Sequence, residues 1–124
     1  MGSDLVRTLQ PPYYAVIFSS VHTNEHDGYD QMAARMAELA ARQPGFLGME
    51  TVKENGTGIT VSYWKDTDAI QAWKRQAEHR LAQQEGRERW YGQYRLRVAR
   101  VERDYGFDKR APQADEKRRE TVKE

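Results

Sequence analysis

Cysteine is absent from this 124-residue sequence. That excludes disulfides, thiolate nucleophiles, iron–sulfur clusters and thiolate zinc sites together. Neither sign of charge dominates, since 20 Lys and Arg stand against 19 Asp and Glu for a formal net charge of +1. The chain therefore lacks the electrostatic footprint of a nucleic-acid binder or of a protein held on anionic membrane. No apolar run approaches the roughly 20 residues of a membrane span, and no secretory leader is visible. The expected compartment is the cytoplasm, with no membrane and no nucleic acid among the partners. Phenylalanine is scarce at 3, whereas Tyr at 7 and Trp at 3 are not. Rings with a polar handle suit half-wet pockets as well as cores.

The length fits one domain. Residues 1–12 carry no apolar periodicity and close on Pro11-Pro12, so they read as an N-terminal tail. Eleven of the seventeen residues in 108–124 are charged, which marks a flexible C-terminal tail. The folded unit is expected over 13–107.

Within it, Tyr13–Val21 is β-branched and aromatic, and reads as a strand. Ala15, Ile17 and Val21 lie on one face; Val16 and Phe18 lie on the other. Asp27 is the expected cap of a first helix, whose stripe is Tyr29, Met32, Ala33, Met36, Leu39 and Ala40. Pro44-Gly45 should stop that helix at about Gln43. Phe46–Glu54 and Ile59–Lys65 read as a hairpin around Asn55-Gly56. Asp66 is expected to cap a second helix with Ala69, Ile70, Trp73 and Ala77 on its apolar side, ended by Gly86. Trp90–Tyr105 reads as a last strand, with a bulge near Ala99 and Arg100 to switch its apolar face. The order β-α-β-β-α-β predicts an α+β, ferredoxin-like fold with a four-stranded antiparallel sheet. Two helices cover one sheet face only. The double-sided apolar first strand argues that a second copy covers the other, closing a dimeric α/β barrel.

Four stretches carry a family resemblance: Pro44-Gly45-Phe46-Leu47-Gly48-Met49-Glu50, Tyr63-Trp64-Lys65-Asp66, Ala69-Ile70-Gln71-Ala72-Trp73-Lys74 and Val101-Glu102-Arg103-Asp104-Tyr105. In these the chain resembles the antibiotic biosynthesis monooxygenase domain of the dimeric α/β-barrel superfamily. The resemblance implies a cofactor-independent monooxygenase, a homodimer that turns a small aromatic or enolisable molecule over with O₂ and needs neither metal nor cofactor. It assigns His79 and Trp64 as catalytic and Trp73, Tyr91 and Tyr14 as substrate-binding. The family's haem-degrading branch is a second reading. Trp64 matches that branch's tryptophan, while Phe18-Ser19-Ser20 lacks its amide and its ligand position falls near Gln83. A third reading is a dimeric ligand-binding or stress-response module without catalysis.

The histidines divide by position. His79 has an ordinary pKa of ~6.5 and follows Trp73 by six residues, about 120° around a straight helix. It is expected at the edge of a cavity bounded by Trp64, Trp73 and His79. His22 and His26 are read as solvated loop residues. Tyr63 has the opposite parity from Trp64, so only one of the two points under the helices. Arg95, Arg97, Arg100 and Arg103 lack the aromatic-rich third strand of RNA-binding modules, and are read as rim or dimer-seam charges.

Overall fold

A computed structural model describes residues 5–6, 9–24, 28–83 and 90–109, the side chains of 79–83 excepted. Six elements follow in the expected order: β1 (Tyr13–His22), α1 (Tyr29–Ala41), β2 (Phe46–Glu54), β3 (Thr57–Trp64), α2 (Thr67–Gln83) and β4 (Tyr91–Val101). The strands form one antiparallel sheet in the order β2-β3-β1-β4. This is the ferredoxin-like α+β architecture, with β1 and β3 in the middle and both helices on one face.

Local chemistry explains the joints. Asn55 and Gly56 take φ 53° and 80°, the left-handed pair that a two-residue hairpin loop demands. The N–H of Ala69 donates to Asp66 Oδ1 at 2.8 Å, so Asp66 caps α2 as its position suggests. At α1 the cap is Gly28, with φ 79° and no side-chain hydrogen bond, and Asp27 lies outside the described residues. A glycine that enters left-handed replaces the expected side-chain cap. α1 ends at Ala41, two residues before Gln43. The turn that follows holds Gly45 at φ 86°, where an added Cβ would stand 2.7 Å from Ala69 Cβ. The Gly45 carbonyl also accepts the Lys65 N–H at 2.8 Å. This turn thus locks the end of α1 onto the start of α2.

The expected bulge at Ala99 and Arg100 is not there. β4 runs beside β1 in unbroken register from Val101↔Tyr13 to Gln93↔Val21, and the shift lies at Val21/His22. Val98 and Val101 reach opposite faces by ordinary alternation, so no extra residue is needed. The position read as breaking α2, Gly86, and the tail from 110 onward lie outside the described residues.

Even-numbered β1 residues face the helices, where Val16, Ala40, Trp64 and Ile70 form one buried cluster. Met32 and Trp90 form a second, with Tyr29, Met36 and Tyr91 packed on it. On the far sheet face the Tyr63 hydroxyl donates to Glu50 Oε1 at 2.8 Å, and the Val6 N–H to Glu50 Oε2 at 2.8 Å. The Tyr13 hydroxyl donates to Asp104 there. No helix among the described residues is long and apolar enough to cross a membrane.

Candidate functional site

Strand register lays out the floor of a cavity beneath the two helices. One row across the sheet is Met49, Ser62 and Val16; the next is Thr51, Thr60, Phe18 and Leu96. α1 closes over these rows with Tyr29, Met32 and Met36, and α2 with Ile70, Trp73, Lys74, Ala77 and Glu78. The space enclosed is about 480 Å³, within the range of small-molecule sites. Its walls are aromatic and thioether, its floor carries the aliphatic hydroxyls of Thr51, Thr60 and Ser62, and one ammonium and one carboxylate stand on the α2 side.

Aromatic clusters bound it at two ends. At one, Trp64 is fully buried between the Phe46 ring, edge-on at 5.4 Å, and the Trp73 ring, stacked at 6.2 Å. Its indole N–H donates to Ser62 Oγ at 2.8 Å. At the other, Tyr91 meets Phe18 at 5.6 Å, Tyr94 at 5.6 Å and Tyr29 at 6.0 Å. Burial, then the neighbouring Tyr29 hydroxyl, push the Tyr91 phenol far above its ordinary range, so it stays protonated. Lys53 Nζ caps the Tyr29 ring from 4.7 Å, a cation–π contact at this end.

The residues singled out from sequence separate in the fold. Trp73 and Tyr91 line the cavity. Trp64 stands behind the wall, touching it through Ser62 and Trp73. Tyr14 is half-buried in the same cluster and opposite Trp64 in the register, also off the wall. His79 lies within α2, directly after the cavity-lining Glu78, and its side chain lies outside the described residues. The lining positions 70, 73, 74, 77 and 78 centre on the Ile70 side of the helix.

His22 is not the solvated loop residue it was read to be. As an even-numbered residue of β1 it faces the helix side, and the register shift on the β4 side brings Tyr91 beside it; its ring packs on Tyr29 at 4.6 Å and Tyr91 at 5.4 Å. Its Nε2 shares a hydrogen bond with Ser20 Oγ at 3.2 Å. Sequence reasoning also passed over Met32, Met36 and Met49 as site residues, and over Ser62, Thr60 and Thr51. The signal available was parity, since Ser62 and Thr60 share a strand face with Trp64. Among the described residues no group of three His, Asp or Glu could hold a metal ion.

Comparison with known proteins bears on what such a site belongs to. The family model for antibiotic biosynthesis monooxygenase matches residues 12–85. The chain belongs to that family. Among relatives, the uncharacterized protein YqjZ of Bacillus subtilis is 54% identical over 104 residues, covering 83% of this chain and 91% of its own. Jasmonate monooxygenase of Pyricularia oryzae is 28% identical over 92 residues, 71% of this chain; the match spans only 43% of that protein. Among solved structures, a mutant of SnoaB, a cofactor-independent oxygenase from Streptomyces nogalater, superposes with a TM-score of 0.63. It is 16% identical, over 76% of this chain and 97% of that one, a likeness of fold.

Proposed function

We propose that this chain is a cofactor-independent monooxygenase whose substrate is a small, flat, phenolic or enolisable molecule bound between the sheet and the helices. The observation that carries the reading is the cavity itself, with aromatic and thioether walls over a hydroxyl-bearing floor in a monooxygenase-family fold. Such a lining binds a ring by area and orients its oxygen by hydrogen bonds. Trp73 and Tyr91 are the ring-binding walls, and Tyr14 supports Trp64 from behind.

The chemistry needs only the substrate's own electrons. Loss of a proton leaves a phenolate or enolate, which transfers an electron to O₂. The resulting radical and superoxide combine to form a carbon–oxygen bond. The peroxide anion so formed takes up a proton, and the resulting hydroperoxide loses water as the carbon–hydrogen bond at that carbon gives up its proton to the departing hydroxide. One oxygen atom ends in a new carbonyl and the other in water, so a hydroxyarene and O₂ become a quinone and H₂O. The protein binds the anion, excludes bulk water and handles the proton. Glu78, on the cavity wall, is the proton acceptor in this scheme, with Lys74 favouring the anion. His79, the next residue of α2, is the competing acceptor, and Glu78→Gln against His79→Ala separates the two.

The test is oxygen uptake by the purified chain in chelator-treated buffer with a panel of anthrones and hydroxynaphthalenes. One O₂ consumed per quinone formed is the expected result. Ligand-induced thermal stabilisation without oxygen uptake would replace the reading with a non-catalytic binding module. A Soret band on haem titration, lost in His79→Ala, would replace it with haem chemistry.

The same reading makes the protein a homodimer. Val52 and Ile59 are 69% and 46% exposed on the sheet face that lacks helices. Ile17 and Val61 sit beside them in register. Contiguous apolar surface of this kind is rare on monomers. Light scattering at micromolar concentration should report twice 14.5 kDa; a 14.5 kDa particle would refute the pairing.

A further inference from the structure

Ser62 is the one polar residue in an apolar row of the cavity floor, between Val16 on β1 and Met49 on β2. It is 5% exposed yet lines the cavity. Its Oγ accepts the Trp64 indole N–H at 2.8 Å. A hydroxyl that accepts one hydrogen bond still has its own proton to donate. Among the described residues the bond from Trp64 is the only polar contact of this side chain. The floor's two threonine hydroxyls differ: Thr51 Oγ1 and Thr60 Oγ1 satisfy each other at 2.7 Å. Trp64 cannot easily turn away, being fully buried between two rings.

We propose that Ser62 is the donor that binds the substrate's oxyanion, and that Trp64 is its positioning residue. The inference rests on the monooxygenase reading above and names the contact that makes it work. The indole N–H occupies the serine oxygen on one side, so the O–H is left to point at the ligand. Accepting that bond also polarises the O–H and strengthens its donation, an effect that counts most in a water-poor site. The substrate's oxygen then sits against Ser62 with its ring toward Trp73. Trp64 acts without touching the substrate, which reconciles its place behind the wall with a role in the reaction.

The probe is para-nitrophenol, whose phenolate is coloured, with nitrobenzene as its neutral counterpart. Absorbance titrations of the full chain give the phenol's pKa when bound, and nitrobenzene affinity reports the cavity's shape. Wild type should favour the bound phenolate. Ser62→Ala should cut that preference by about tenfold or more, close to one pKa unit, with nitrobenzene affinity unchanged. Ser62→Thr, which keeps a hydroxyl, should retain most of the preference. Trp64→Phe should lose an intermediate share. If Trp64→Phe does not fold, judged by circular dichroism, the Ala and Thr variants of Ser62 decide the matter. Unchanged phenolate preference in Ser62→Ala overturns the inference while oxygen uptake still tests the monooxygenase reading. A preference lost in Ser62→Ala but intact in Trp64→Phe overturns the positioning half. Failure of wild type to bind either probe overturns the inference and the cavity reading together.

Discussion

Gly45 and Gly56 have nearly the same backbone angle, φ 86° and 80°, but opposite surroundings. A Cβ on Gly56 would meet nothing within 4 Å, whereas one on Gly45 would stand 2.7 Å from Ala69 Cβ and 3.7 Å from Lys65 Cβ. Gly56→Ala therefore adds only the left-handed penalty, about 1–2 kcal/mol. Gly45→Ala adds the same penalty plus relief of a contact more than half an ångström inside the usual ~3.5–4.0 Å carbon separation. Relieving such overpacking costs about 1–3 kcal/mol. The totals are about 2–5 kcal/mol for Gly45→Ala and about 1–2 kcal/mol for Gly56→Ala. A gap of at least ~1 kcal/mol corresponds to about 4–8 °C in Tm for a domain of this size. Urea unfolding followed by tryptophan fluorescence measures both variants against wild type. Equal destabilisation, or a larger loss in Gly56→Ala, would refute the close seating of the α1–β2 turn on α2. Because Trp73 and Lys74 are one turn further along α2, Gly45→Ala should also weaken nitrobenzene binding, and Gly56→Ala should leave it unchanged.

Three further outcomes follow from the packing and the caps. Ile70→Ala removes a 4% exposed side chain that joins the core to the cavity wall, and should cost about 2–5 kcal/mol in urea unfolding. Asp66→Ala leaves the Ala69 N–H without its cap and should cost about 1 kcal/mol, recovered largely by Asp66→Asn. The third concerns alkaline pH. Burial and the hydrogen bond to Glu50 raise the Tyr63 phenol above its ordinary 10, and burial beside Tyr29 raises Tyr91. The unfolded chain releases these protons near pH 10 while the folded chain keeps them, so stability holds below pH 10 and falls above it. Denaturant midpoints across that range should fall less steeply in Tyr63→Phe and Tyr91→Phe; an unchanged slope in both would refute the assignment.

Much of the frame was legible because its causes are local. Asn55-Gly56 asks for two left-handed residues, Asp66 offers a carboxylate to the first turn of α2, and Pro44-Gly45 stops α1. Alternation in β1 announced a sheet apolar on both sides, and the motif around Trp64 and Trp73 pointed to the family. Two misreadings share one cause. The bulge at Val21/His22 in place of Ala99 and Arg100, and the packing of Tyr91 onto His22, both depend on how β4 meets β1. Those meetings join residues some 60 to 80 positions apart, which no local window spans.

The sequence by itself determined the kinds of element, their order, and which residues share a face, because backbone period and turn chemistry act over a few residues. Tertiary structure alone decided which of those faces encloses a cavity and which groups in it meet one another. Parity put Ser62 and Trp64 on one side of β3. Only the packing of Phe46 and Trp73 around the indole turned its N–H onto the serine, since that orientation is fixed by rings from two other elements closing on it in space.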